Sequence, residues 1–256
     1  MKGFVLITGA SSGIGLELAR VFAGNRHDLV IVSRDLAALK KVKSELERDY
    51  KVSVIAIAKD LSLKKSCDEV YSEVKRRGIS VDVLVNNAGF GTFGKFRDTD
   101  LETELSMIGL NISALTHLTK LFARDMIKKR RGKILNLAST AAFFPGPMMA
   151  VYYATKAYVL SFSTALNEEL RGTGVSVTAL CPGPTKSGFQ KAAHIETDHL
   201  FNSRIPTSEE VARFGYTELM KGRLIAVHGL KNRALIQVAK FLPRRLVASL
   251  VRRIQE

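Results

Sequence analysis

The 256-residue chain is 46% hydrophobic and 7% aromatic, enough apolar content to bury a full core within one α/β domain. No apolar run approaches the roughly 20 residues that span a bilayer, and the opening "MKGFVLITGA" enters a strand-like run without an h-region or cleavage site, so a cytoplasmic protein is expected. The formal charge of +15 favours anionic ligands or surfaces, while two distant cysteines, Cys67 and Cys181, argue against a disulfide framework and a thiolate metal cluster, so no metal is expected.

In chain order, the apolar, β-branched runs are "GFVLIT", "DLVIVS", "VSVIAIA", "VDVLVNNA", "KILNLA", "VSVTALC" and "GRLIAVHG", separated by segments of helical length and period. This alternation predicts an α/β fold, a doubly wound parallel sheet of about seven strands with helices on both faces. No repeat, low-complexity tract or linker divides the chain.

After the first run comes "TGASSGIG", residues 8 to 15, a glycine-rich turn opening a helix near Gly13. Free backbone N–H groups and the positive end of a helix dipole suit a pyrophosphate there, with Gly9, Ser11, Ser12, Gly13, Ile14 and Gly15 as candidate contacts. The spacing is G-x-x-x-G-x-G rather than G-x-G-x-x-G. At the end of the second strand, where an acid would hold a ribose 2′-hydroxyl, the chain reads "VIVSRD". Ser33 and Arg34 suit a 2′-phosphate instead, and NADP(H) is expected to be preferred over NAD(H). Asp35 is expected to cap the following helix.

The pattern Y-x-x-x-K occurs twice, at Tyr71 with Lys75 and at Tyr152 with Lys156. In a helix, only Tyr152, not its neighbour Tyr153, stands one turn from Lys156.

With "TGASSGIG", "NNAG" at 86 to 89, Asn111, Ser139, Tyr152 with Lys156, and "PGPTKS" at 182 to 187, the sequence resembles the short-chain dehydrogenase/reductase family over nearly its whole length. The subgroup it is similar to comprises broad-specificity bacterial reductases related to hydroxysteroid and 3-ketoacyl reductases. The resemblance implies a Rossmann-like sheet and an NAD(P)-dependent alcohol or carbonyl reaction. It places a serine 13 positions before the working tyrosine, which selects Ser139 and Tyr152. The residue 13 before Tyr71 is Ala58, so "YSEVK" reads as a solvated helix face and Tyr153 as a packed aromatic.

Using a phenol as a base near pH 7 means lowering its pKa by about three units, or roughly 4 kcal/mol. An ammonium about 5 Å away supplies on the order of 3 kcal/mol at an effective dielectric near 20. Tyr152 is thus expected to exchange a proton with the substrate oxygen, assisted by Lys156, while Ser139 holds that oxygen. By resemblance, Lys156 also holds the nicotinamide ribose and Asn111 anchors a proton-relaying water. Asp60 and Leu61 would meet the adenine, Asn87, Ala88 and Gly89 would line the adenosine side, and Pro182, Gly183, Thr185 and Ser187 would orient the nicotinamide. Residues 1–230 then form the catalytic domain, and residues 231–256 a basic extension of it.

The loops at the carboxyl ends of the later strands carry Phe90, Phe93, Phe143, Phe144, Met148, Met149 and Phe189, which suits a hydrophobic carbonyl compound or its alcohol. A cofactor-binding sensor without turnover is the competing reading, disfavoured because Asn111, Ser139, Tyr152 and Lys156 are all present. In "PRRLVASLVRRIQE", Leu246, Val247, Leu250, Val251 and Ile254 form one helical face. It is expected to dock on its own domain or on a partner subunit, with peripheral contact to an anionic membrane as the alternative. A homo-oligomer, dimer or tetramer, is expected; no nucleic-acid motif is present.

Overall fold

The computed structural model describes residues 3–188 and 205–255, so Phe189 lies outside the described residues. Seven parallel strands, β1 (Phe4–Thr8), β2 (Leu29–Ser33), β3 (Val54–Ala58), β4 (Val81–Asn86), β5 (Gly132–Leu137), β6 (Val175–Cys181) and β7 (Ile225–Val227), lie in the order β3-β2-β1-β4-β5-β6-β7. Between them run α1 (Gly13–Gly24), α2 (Leu36–Tyr50), α3 (Ser66–Arg76), α4 (Leu101–Ile108), α5 (Leu115–Lys128), α6 (Ala150–Glu169) and α7 (Ser208–Met220), with α8 (Leu230–Ala239) and α9 (Arg244–Gln255) closing the described chain. The order reverses between β1 and β4, the place where such sheets open a crevice beyond their strand ends.

Successive strand residues point to opposite faces, and the core divides accordingly. Val5, Ile7, Leu29, Ile31 and Val85 pack with Leu18 and Phe22 of α1, Leu39 of α2 and Val211 of α7. Leu6, Val30, Val32, Leu84 and Ile134 pack with Val70 of α3 and Leu118 and Phe122 of α5. Burial on both faces is why these strands read as continuous apolar runs. Local chemistry sets the helix starts: Asp35 Oδ1 accepts from Ala38 N at 3.0 Å, and Thr207 and Glu210 form a reciprocal capping box on α7.

Two expectations need correction. Tyr71 is not on a solvated face. Its hydroxyl donates to Asp125 Oδ2 at 3.0 Å, Lys75 Nζ reaches the same oxygen at 3.0 Å, and its ring meets Phe122 edge-on, because α3 packs against α5. The apolar stripe of α9 is also split: Val247 and Gln255 are buried, whereas Leu246, Leu250 and Ile254 are exposed. Among the described residues, no helix is long and apolar enough to cross a membrane. Both cysteines are free and buried, and burial pushes Cys67 up to about 11 and Cys181 up to about 12, so neither thiol is ionised near neutrality.

Candidate active site

The glycine loop is shaped from outside itself. Gly9 has φ +66°, and a Cβ there would sit 2.8 Å from Asn87 Nδ2. One on Gly15 would run into Gly9 O and Asn87 Nδ2, so neither position admits a side chain. Asn87 Nδ2 donates to Thr8 O and Gly9 O at 2.9 and 3.1 Å, and Thr8 Oγ1 accepts from Asn87 N and Ala88 N at 3.0 and 2.9 Å. The side chain of Asn87 therefore braces the loop. Ser12 precedes α1 in extended conformation without a side-chain cap. Ser11 is partly exposed, as is Ile14, which also packs against the core, and across the cradle Ser187 Cβ would lie 3.6 Å from a Cβ on Gly13.

Around the ends of β2 and β3, the Arg34 side chain is 75% exposed and lies 3.9 Å from Asp60 Oδ2. The Ser33 hydroxyl is 3.5 Å from Asp35 O. Burial pulls Asp60 upward, but hydrogen bonds from Ser62 N and Oγ, with the Arg34 charge, hold its carboxyl below the usual range. Leu61 is buried in the core, leaving its backbone rather than its side chain to face a ligand.

Asn111 sits in a π-helical segment, Gly109–Ala114, between α4 and α5. Such a bulge rotates one residue out of helical register, a common device at functional sites. The buried Asn111 amide donates to Phe90 O at 2.9 Å and Thr155 Oγ1 at 3.1 Å, and its oxygen accepts from Phe90 N at 3.1 Å. A Cβ on Gly89 would lie 2.8 Å from Asn111 Oδ1 and 3.6 Å from Lys156 Nζ, so the "NNAG" turn reaches the second half of the site.

Ser139 follows β5 and caps a 3₁₀ turn, Thr140–Phe143, by accepting from Ala141 N at 3.1 Å. Its hydroxyl lies 3.4 Å from Pro182 O and shares a hydrogen bond with Tyr152. Gly183 packs against Asn232, and the buried Thr185 donates to Gly183 O at 2.9 Å. One helical turn on from Tyr152, Lys156 is buried, donates to Leu137 O at 2.8 Å and places Nζ 5.7 Å from the Tyr152 ring centre. Ser139, Tyr152, Lys156 and Asn111 thus meet beyond the strand ends, next to the glycine loop.

The electrostatics depart from the expectation that Lys156 lowers the Tyr152 pKa. Burial pushes the Tyr152 phenol well above its ordinary value; the Ser139 hydrogen bond offsets only part, and Tyr153 adds to the rise. Burial also pulls Lys156 down to about 8, with Cys181 acting weakly the other way. In both groups the dominant cause is removal from water, which favours the neutral form. Tyr153 turns away: its ring packs on Gly146, where no Cβ would fit, and its hydroxyl accepts from Gln255 Nε2 of α9 at 2.9 Å.

Phe90, Phe93, Phe143, Phe144 and Met148 are half-buried at the crevice, and Met149 is buried. The two loops that carry them are joined by Gly94 N donating to Met148 O at 2.8 Å, with Met148 held at φ 67°. Sequence reasoning missed Thr8, Thr155 and Gln255. Thr8 and Thr155 sit inside quoted motifs, but nothing marked Gln255.

The sequence model of the family described as short chain dehydrogenase matches residues 3–197. A very-long-chain 3-oxoacyl-CoA reductase of Pyrenophora tritici-repentis is 35% identical over 180 residues, 68% of this chain and 52% of that protein. The chain therefore spans about half the length of that curated relative. A short-chain dehydrogenase from Sphingobium yanoikuyae, solved in complex with NADPH, is 31% identical with a TM-score of 0.84, covering 93% of this chain and 94% of that one. A bulky-bulky ketone specific alcohol dehydrogenase from Comamonas testosteroni is 31% identical with a TM-score of 0.81, covering 93% and 92%. With this fold, these motifs and these likenesses in one chain, the protein belongs to the short-chain dehydrogenase family of oxidoreductases.

Proposed function

We propose that the protein interconverts a bulky hydrophobic ketone and its alcohol with NADP(H), Tyr152 serving as general acid and base. The observation that carries this reading is the convergence of Ser139, Tyr152 and Lys156, with the Tyr152 hydroxyl bonded to Ser139 and Lys156 Nζ 5.7 Å from its ring centre.

A dinucleotide fits the residues present. Gly9 and Gly15 let Asn87 pack into the turn that shapes the cradle, the start of α1 at Gly13 has no side-chain cap from Ser12, and Ser187 lies on the opposite side. The exposed Arg34 supports recognition of a 2′-phosphate, and Asp35, one oxygen of which is committed to Ala38 N, is the weaker partner for a ribose hydroxyl. The NADPH complex of the Sphingobium relative supports the same preference. When bound, the reduced cofactor supplies a hydride to the carbonyl carbon.

The chain's own residues do the rest. Tyr152 donates its proton to the carbonyl oxygen, and Ser139 holds that oxygen in place. The phenol of Tyr152 carries its proton at neutral pH, the form that donates to a carbonyl oxygen. Lys156 supplies positive charge beside the phenol as proton loss begins, and Asn111 fixes Thr155 and the Phe90 backbone around it. The apolar loops joined at Gly94 and Met148 support a bulky substrate, as do the 3-oxoacyl-CoA and bulky-bulky ketone for which the Pyrenophora and Comamonas relatives are named. Exposed Leu101, Leu105 and Ile108, spaced along α4, support a homo-oligomer.

The test is NADPH oxidation with a panel of bulky ketones and 3-oxoacyl thioesters. Turnover with at least one class is expected. Tight NADPH binding with silence across the panel would replace the enzyme by a cofactor-binding sensor.

A further inference from the structure

The α9 helix has two apolar rows. Val247, Val251 and Gln255 recur every four residues, and this row docks on the domain, ending in the Gln255 bond to Tyr153. Leu246, Leu250 and Ile254 recur at the same interval one position earlier and are 46, 42 and 59% exposed. Phe241, at the link from α8, is 88% exposed. The second row therefore has no partner among the described residues, although the helix that carries it is anchored by the first.

The sequence that carries this row is strongly basic. Residues 231 to 256 contain Lys231, Arg233, Lys240, Arg244, Arg245, Arg252 and Arg253 against one acid, Glu256, whereas the earlier Lys221 and Arg223 are paired with Glu218. On a helical wheel Arg253 borders the exposed row, and Arg244 and Arg245 begin the helix. A second copy of the chain docked on this row would set one strongly basic helix against another, which like-charge repulsion opposes. A surface offering anionic charge over an apolar interior satisfies both features at once: long arginine side chains reach outward to phosphates while the leucines enter the acyl boundary.

We propose that the exposed row of α9, with Phe241, is a peripheral binding surface for anionic lipid bilayers. The docked row fixes the helix to the domain, so binding requires no unfolding of the tail and holds the domain at a set orientation above the lipid.

The sequence contains no tryptophan, so Phe241→Trp installs a single fluorescent reporter at the most exposed apolar position. The full chain is mixed with vesicles of phosphatidylcholine alone or phosphatidylcholine with phosphatidylglycerol. The expected result is a blue-shifted emission and co-sedimentation with the anionic vesicles only, weakened several-fold by raising salt from about 0.1 to about 0.5 M. In the otherwise native chain, replacing Leu246, Leu250 and Ile254 together by serine is expected to reduce vesicle binding at least tenfold with NADPH affinity unchanged. Should the triple variant lose its fold, Phe241→Ser alone carries the comparison. Equal binding to neutral and anionic vesicles, no spectral shift, or undiminished binding by a folded variant overturns the proposal. So does loss of oligomer mass in the triple variant without lipid, which would assign the row to a second copy.

Discussion

Tyr153 accepts a 2.9 Å hydrogen bond from Gln255 across 102 positions of sequence, while its ring meets that of Tyr152 edge-to-face at 6.1 Å. Two adjacent tyrosines on α6 are thereby divided between two tasks, one facing Ser139 and the other holding the tail.

That division predicts opposite phenotypes for the same chemical change. Tyr152→Phe is expected to reduce turnover by about 10² to 10⁴, the usual share of a general acid, with NADPH affinity nearly intact. Tyr153→Phe should remain active but lose about 1 kcal/mol of stability, because the Gln255 amide is left without its acceptor. Steady-state kinetics and thermal melts of the two variants decide it; equal kinetic losses would refute the assignment.

Arg34→Ala is expected to weaken NADPH binding by roughly 1.5 to 3 kcal/mol, one charge-assisted hydrogen bond, while barely changing NADH binding. Fluorescence titration of both cofactors measures this. A wild type that already prefers NADH would transfer the ribose contact to Asp35.

A methyl group on Gly89 has to displace Asn111 Oδ1, 2.8 Å from where the Cβ would lie, and with it the bond to Phe90 N. Gly89→Ala is accordingly expected to cost on the order of 10² in turnover, as misplacements of about an ångström do. Gly78→Ala adds its methyl to open space at φ +67° and should lower the melting temperature alone. Full activity in Gly89→Ala would mean that Asn111 does not position the reacting groups.

Burial lowers Lys156 to about 8 in the folded chain, against about 10.4 when unfolded. The unfolded state thus binds the proton more strongly, so this group opposes folding fully below about pH 8 and ceases to do so above about pH 10.4. Lys156→Met is expected to be inactive yet more stable at pH 7 by up to about 2 kcal/mol, once the lost bond to Leu137 O is subtracted. Denaturant melts across pH should show the gain shrinking as pH rises through that window. A variant less stable at pH 7 would show that the ammonium is better solvated than its burial implies.

The fold and the candidate catalytic cluster were largely legible because strand periodicity and motif order are local signals: the glycine turn, "NNAG", Ser139 and "PGPTKS" follow the carboxyl ends of strands, and Asn111 and the Tyr152–Lys156 pair lie on the helical segments between them. Seven apolar runs became seven strands, and Asn111, Ser139, Tyr152 and Lys156 came together. Less visible were features set by packing across the sheet. The Asp125 partner of Tyr71 comes from a different helix, 54 positions away. A helical wheel gives the width of the α9 stripe but not which of its rows meets the domain. The upward shift of Tyr152 was not legible because spacing reveals the nearby charge of Lys156 but not the water that the buried phenol surrenders.

The bonds from Asn87 and Ala88 to Thr8 and Gly9 close chain segments of about 80 residues, which bears on the order of assembly. The glycine turn looks like a self-sufficient motif in the first fifteen residues, and β2 holds part of it through Gly9 N and Ala10 N donating to Val32 O, yet the brace from Asn87 forms only after β4 has joined β1. Such a closure is entropically costly and therefore late relative to local helix formation. A nascent chain carrying only the β1–α1–β2 unit would have the sequence of a nucleotide site with only the part of its geometry that β2 supplies. Cofactor affinity in this protein thus reports on the completed sheet rather than on a peptide segment, and excess cofactor should raise the melting temperature of the domain as a unit.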